Sequence, residues 1–223
     1  RIIDSHETYA KLISQIGLRT NITEENLNRL GITGERAKRL TKASESSVGG
    51  LMNLEDITVL QTFCKSYLET IKLRDYLVEK LDDLLEHVAK NVRALAGATL
   101  GARLIALGGG LNRLSQLPAS TIQILGAEKA LFRSLKTGAY PPKHGIIFQH
   151  YLIHQASRWQ RGKIARALAG KIAIASRIDA FTHSDRGDAL KAALDKRVKE
   201  IQQKYPNPPE KRKPPKMRKG KRR

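Results

Sequence analysis

Between Gly126 and Asp179, Lys and Arg recur alongside Gln, His and aromatic residues, a mixture suited to contacting phosphates and bases. On a helical wheel at 100° per residue, the stretch Gln160 to Phe181 places Lys163, Arg166, Gly170 and Arg177 within about 60° of one another, with Ile164, Leu168, Ile172 and Ala175 opposite. One face packs and the other is a cationic track. Gly170 within that track lets a backbone approach closely. Lys129, Arg133, Lys136, Lys143, Arg158 and Arg161 lie nearby in sequence, and acidic residues at i±4 along the track are absent. A solvated cationic face is the common alternative, and spacing by itself does not separate the two. Phosphate contacts from such a cluster give affinity and steep salt dependence but little base information. Base or sugar contact needs stacking or amide groups, for which Phe132, Gln149, His150, Trp159 and Gln160 are available.

Catalytic readings of the same residues fail. Gly162-Lys163 has the look of a P-loop end, but Ser157 stands where the first Gly belongs and Ile164 where Ser or Thr is required. The Gly108 to Gly110 run has no strand before it, so it is not a dinucleotide fingerprint. His150 and His154 share a helix face, but no third ligand accompanies them, so no metal site is expected. No Ser/His/Asp or paired-carboxylate arrangement stands out. A non-enzymatic protein without cofactor is expected.

Composition agrees. The 223-residue chain carries a formal net charge of +20, which makes nucleic acid the first partner to consider. The charge is uneven: residues 1–87 hold 12 Lys/Arg against 14 Asp/Glu, residues 88–203 hold 19 against 6, and residues 204–223 hold 10 against 1. The single cysteine, Cys64, rules out an intramolecular disulfide and fits a reducing, intracellular setting. No run approaches 18 consecutive apolar residues and no secretory signal opens the chain, so a soluble protein without membrane contact is expected. Arg1 in place of an initiator Met points to a missing upstream part.

The elements that must position these residues read as helices throughout, and the predicted fold is all-α. Ser5 caps a helix ending near Gly17, Thr23 and Thr33 cap two more, and Ser44 to Gly50 is a break. Asn53 then opens a long periodic segment. Ile57, Leu60, Cys64, Tyr67, Ile71, Val78, Leu81, Leu85, Val88, Val92 and Leu95 follow steps of three and four, interrupted only at Arg74. That is a heptad seam of roughly 40 residues, about 60 Å, and it needs a partner helix. Cys64 on the seam reads as a small buried hydrophobe.

Glycines at 97, 101 and 108 to 110 call for close packing or a sharp change of direction, and the boundary between an arm region with a helical insertion (1–117) and a compact domain (118–205) is placed here. Ala127 to Lys136, Ile146 to Gln155, Gln160 to Phe181 and Asp188 to Tyr205 are predicted helices, with Tyr140-Pro141-Pro142 a rigid loop. The tail, 206–223, is rich in prolines and like charges and is expected to be disordered until bound.

Three stretches, GAEKALFRSLKTG (126–138), PPKHGIIFQH (141–150) and RGKIARALAGKIAIASRID (161–179), closely resemble the Nop domain. The resemblance is to archaeal Nop proteins of box C/D ribonucleoproteins and covers residues 5 to 205. The family includes the eukaryotic nucleolar box C/D scaffold proteins and, more distantly, a tri-snRNP splicing factor. It implies a scaffold, a coiled-coil arm followed by a helical Nop domain. In the family that domain binds a kink-turn guide RNA already occupied by an L7Ae-type protein, the arm self-associates, and an N-terminal domain recruits a fibrillarin-type methyltransferase for guide-directed ribose 2′-O-methylation. That N-terminal domain and the first arm helix would lie upstream of Arg1.

By position, the resemblance places Gly126, Ala127, Glu128 and Lys129 against the RNA and its bound protein. It places Ala130, Leu131, Phe132 and Arg133 near the end of the guide and target duplex. Gln149, His150, Arg161, Lys163 and Arg166 would line the RNA-facing surface, joined by Lys136, Lys143, Arg158, Gln160 and Arg177 from the cationic cluster. The seam from Ile57 to Val92 would form the self-association arm. Tyr151 and Ala156 stand where many relatives carry proline. An archaeal protein of this kind would be cytoplasmic and a eukaryotic one nucleolar. A splicing-type assembly factor and a general basic RNA-binding dimer are the alternative readings.

Overall fold

Local capping opens the first two helices as their sequence anticipates. In the computed structural model, which describes residues 2–50 and 52–208, the Ser5 hydroxyl accepts from Thr8 N at 3.4 Å and opens α1 (His6–Ile16), which Gly17 closes at φ 72°. Thr23 accepts from Asn26 N at 3.3 Å and opens α2 (Glu24–Arg29). Thr33 does not cap, because Gly34 occupies the N-cap of α3 (Glu35–Glu45) with φ 66°. Leu12, Ile16, Leu27, Ile32, Ala37 and Leu40 form a small core inside the first of two compact units, which extends to Leu77.

The long helix α4 spans Leu54–Val88, 35 residues or about 52 Å, and Asn53 Oδ1 caps it by accepting from Asp56 N at 2.7 Å. Its first turn crosses the end of α1 so closely that a Cβ on Gly17 would sit 3.2 Å from Ile57 Cγ2. The heptad spacing continues to Leu95, but the helix does not. Ala89 leaves helical geometry (φ −150°, ψ 55°) and the chain restarts as α5 (Lys90–Ala96). Val92 and Leu85 are therefore not arm surface: both are buried in the core of the second unit. Ile57 and Cys64 are also buried, whereas Tyr67, Val78, Leu81 and Val88 are exposed.

From Val78 onward the second unit adds α6 (Ala98–Gly108), α7 (Leu111–Gln116), α8 (Ala119–Ile124), α9 (Glu128–Thr137), α10 (Tyr151–His154), α11 (Arg161–Arg177) and α12 (Gly187–Lys204). No strand occurs among the described residues, so the fold is all-α. The glycine-rich helices α5 to α7 share one core with α8 and α11, so the compact unit begins well before the change of composition at residue 117. The glycines there mainly turn the chain: Gly109 and Gly110, at φ 82° and 107°, reverse it between α6 and α7. Ile146 to Gln155 is not one helix but a 3-10 turn (Ile146–Gln149) followed by α10, because His150 adopts an extended conformation between them. Pro206 to Pro208 are exposed and non-helical; the remainder of the expected disordered tail, 209–223, lies outside the described residues.

Two polar clusters hold the second unit's entrance. Arg93 donates from Nε and Nη2 to the two carboxylate oxygens of Asp82, at 2.7 and 2.5 Å, and also pairs with Glu86, tying α5 back to the last turns of α4. These bonds hold the Asp82 carboxyl below its ordinary range. Asp179, 2% exposed, accepts from Asn91 Nδ2, Asn91 N (3.1 Å) and Val92 N (2.9 Å), while Asn91 Oδ1 accepts from Arg186 N at 2.7 Å. Asp179→Ala leaves the backbone N–H groups of Asn91 and Val92 without this acceptor, while Asn91 Nδ2 keeps the Ser184 carbonyl at 2.9 Å, and is expected to lower unfolding stability by about 2–6 kcal/mol, at ~1–3 kcal/mol for each of the two orphaned groups, measured by urea denaturation.

Candidate nucleic-acid interface

The wheel predicted for α11 holds. Ile164, Leu168, Ile172 and Ala175 are each 0% exposed at the centre of the second unit, and burial at 3.6-residue spacing forces the residues between them outward. Lys163, Arg166 and Arg177 are exposed, together with Ile174 on the same face. A Cβ built on Gly170 would meet nothing within 4 Å. This glycine in mid-helix, about 1 kcal/mol less favourable than Ala, is therefore not required by the chain's own packing.

α9 stands off the core, and among its residues only Ser134 is buried. Lys129, Ala130, Arg133 and Lys136 are exposed and Leu131 half-buried. Phe132 is 64% and Leu135 72% exposed, side by side one turn apart among the cations. Gly126 starts the turn at φ 82°, a conformation that suits glycine, and its N–H donates to Glu128 Oε1 at 2.6 Å. Glu128 thus folds back on its own turn, and Ala127 is half-buried as the N-cap residue. The following loop packs down tightly: a Cβ on Gly145 would lie 2.0 Å from the Leu125 carbonyl oxygen. It also lays Lys143 beside Gly162, 3.5 Å from where a Cβ would be, so the exposed Lys143 joins the start of α11.

Several predicted contact residues turn out to build the surface rather than to face outward. His150 is buried, with Nε2 2.9 Å from the Leu95 carbonyl and Nδ1 accepting from Leu152 N at 3.3 Å, so both ring nitrogens are engaged and unavailable to a metal or a base. Gln160 is buried and donates to Tyr205 O at 2.7 Å. Arg161 donates from Nε to Ala156 O (3.0 Å) and from Nη2 to His154 O (3.2 Å), with its guanidinium over the Phe148 ring. Arg177, though exposed, donates to Ser115 O at 3.1 Å. Gln149 is exposed and accepts from Arg103 at 2.9 Å. Tyr151 occupies the first position of α10, where proline is equally compatible.

The outward cations are therefore Lys129, Arg133, Lys136, Lys143, Arg158, Lys163 and Arg166. Among the described residues none of them has a carboxylate within ion-pair distance, although surface pairs occur elsewhere, as between Lys11 and Glu7. Such cations attract phosphates, which supply the missing countercharge. Sequence reasoning missed Arg103, Leu135 and the stack of His144 on Phe148 (centroids 4.6 Å apart) beneath Arg161. A wheel over α9 would have found Leu135; the other contacts join residues distant in the chain.

Burial drives the His150 imidazole below its ordinary pKa, with the Leu95 hydrogen bond opposing, and burial together with the Arg161 charge does the same to His144. A lowered folded pKa means that the unfolded chain binds more protons, so stability is complete above about pH 6.5 and declines as pH falls below it. Melting at pH 7 and pH 5 is expected to show this decline, reduced in His150→Gln; an unreduced decline would exclude His150 as a source.

A family model described as Nop, snoRNA binding domain, fibrillarin, matches residues 1–200. A NOP5 family protein of Methanocaldococcus jannaschii is 45% identical over 207 residues, covering 93% of this chain and 50% of that protein. Human nucleolar protein 56 is 40% identical over 204 residues, covering 89% and 34%. Among solved structures, the crystal structure of a fibrillarin/Nop5p complex matches with a TM-score of 0.51 and 28% identity, covering 87% of this chain and 69% of that one. The chain thus spans half the length or less of these curated relatives.

Proposed function

The chain belongs to the Nop family, and from that premise we propose that it is a non-catalytic scaffold of a box C/D-type ribonucleoprotein. Its second unit clamps a kink-turn guide RNA together with an L7Ae-type protein bound to it. The observation that carries this reading is the set of outward cations on α9 and on α11 that lack carboxylate partners, with Phe132 and Leu135 exposed on α9 and Gly170 open on α11. Phosphates satisfy Lys129, Arg133, Lys163 and Arg166; the aromatic and aliphatic pair on α9 offers stacking or wedge contact with bases; and Gly170 admits a close backbone. Chemistry on the RNA is left to a fibrillarin-type methyltransferase, the partner named with the Nop5p relative, recruited through parts of the protein outside this chain.

An L7Ae-type partner is expected to convert weak binding of kink-turn RNA into strong binding, and Arg166→Ala to weaken the assembled complex by ~1–3 kcal/mol, the range of a charge-assisted phosphate bond. Both are measured by gel shift or calorimetry. Equal affinity with and without the L7Ae-type protein, or for a mutated kink-turn, would instead identify a general basic RNA-binding surface.

We further propose that the last turns of α4 contribute to self-association. There Val78, Leu81, Leu84 and Val88 leave an apolar face 36–60% exposed, the kind of surface that a second helix covers. Leu81→Asp combined with Leu84→Asp is expected to yield monomers in sedimentation while leaving the helical circular dichroism intact; a dimer surviving both changes would place the interface elsewhere.

A further inference from the structure

We propose that the furrow between α11 and α12 is a further subsite for an RNA backbone, in which Lys171 and Arg197 hold the phosphodiester next along the strand from Arg166. The furrow is a cavity of about 280 Å³ in the surface of the second unit. Its α11 wall is one stripe, since Arg166, Gly170, Lys171 and Ile174 fall at i, i+4, i+5 and i+8. Leu194 and Arg197, one turn apart, form the α12 wall. Gly170 contributes no side chain, and a Cβ there would meet nothing within 4 Å, so the space over the helix backbone stays open. A cavity of this size lies just under the ~300 Å³ at which pockets enclosing small molecules begin, so the furrow suits a strand laid across it and not an enclosed ligand.

The charge of the furrow is one-sided. Arg166 is exposed and Lys171 half-buried, and among the described residues neither has a carboxylate within ion-pair distance. Arg197 pairs with Glu200 at 2.7 Å, but both side chains are exposed, 62% and 46%, and such surface pairs are weak and readily exchanged. Asp195, in the middle of α12, lines the opposite flank of that helix with His150 and Tyr151. Three cations against one exchangeable acid call for a polyanion. Arg166 decides between RNA and an acidic polypeptide. It belongs to the cationic track of α11 with Lys163 and also lines the furrow, so a backbone held on that track enters the furrow without a break. RNA carries a charge at every nucleotide, which matches cations placed on successive turns, and Ile174, 43% exposed, gives its sugars an apolar contact.

This inference rests on the reading of the outward cations of α11 as RNA-binding, and the variants separate the two. Lys171→Gln, Arg197→Gln, Glu200→Gln, Gly170→Leu and Arg166→Ala are compared in the full chain for binding to poly-L-glutamate and to kink-turn RNA, the RNA with and without its L7Ae-type protein, at a series of KCl concentrations. Lys171→Gln and Arg197→Gln are each expected to weaken RNA binding about three- to tenfold and to lower the slope of log K against log[salt] by roughly 1, with or without the L7Ae-type protein. Glu200→Gln releases Arg197 and is expected to strengthen binding about two- to threefold, a gain that disappears in the Arg197→Gln background. Gly170→Leu is expected to melt no lower than the parent, because Leu favours a helix over Gly, yet to weaken RNA binding about fivefold by filling the furrow. Unchanged affinity and slope in the Lys171→Gln/Arg197→Gln double variant overturn the proposal, as does a Glu200→Gln gain of equal size in both backgrounds. A loss on poly-L-glutamate but not on RNA also overturns it and assigns the furrow to an acidic polypeptide, and a loss confined to mixtures with the L7Ae-type protein overturns it in favour of that protein. Failure of the underlying reading shows separately, as an Arg166→Ala variant that binds like the parent.

Discussion

Burial of the α11 stripe is the constraint on which the rest of the second unit depends. Ile164, Leu168 and Ile172 are wholly removed from solvent, and burying side chains of this size contributes on the order of 1.5–3 kcal/mol each. Helices α5, α7, α8, α10 and α12 all pack against this one element. The same periodicity that puts these residues inside puts Lys163, Arg166 and Ile174 outside, since an unpaired Lys or Arg in the core would be prohibitively costly. Core and interface are thus two faces of one helix, and a change in its register would move both.

Around that helix the path of the chain is set by a few long-range polar contacts. Asp179 and Asn91 join the end of α11 to the start of α5 across 88 positions of sequence. The backbone N–H of Arg186, just before α12, is held by the same Asn91. α12 then returns the chain to Trp159, Gln160 and Lys163 at the entrance of α11. The buried carboxylate is tolerated because two backbone N–H groups and an amide satisfy it.

The motif residues divide into two kinds of work. Lys129, Arg133, Lys143 and Arg166 project into solvent, whereas His150, Gln160 and Arg161 hold the loops from which others project. Arg161 shows why residue type alone does not separate them. Its charge suits a phosphate, yet its guanidinium is engaged by two backbone carbonyls and the Phe148 ring, so replacing it would disturb the surface whether or not it touches RNA.

The sequence by itself determined the all-α class, the caps at Ser5, Thr23 and Asn53, the packed and cationic faces of α11, and the family. Each of these is local, set by spacing of 3.6 residues, by a hydroxyl or amide within three positions, or by contiguous motifs. Tertiary structure alone decided that the heptad spacing past Ala89 belongs to a core and not to an arm, since Val92 and Leu95 keep the period while the helix axis breaks. It also decided that Gly34 and not Thr33 caps α3, and that His150, Gln160 and Arg161 turn inward. The physical reason is common to these cases. Periodicity records which residues avoid water but not which partner covers them, and a polar side chain's type records what it can bond but not whether a distant carbonyl, such as that of Leu95 or Tyr205, reaches it first.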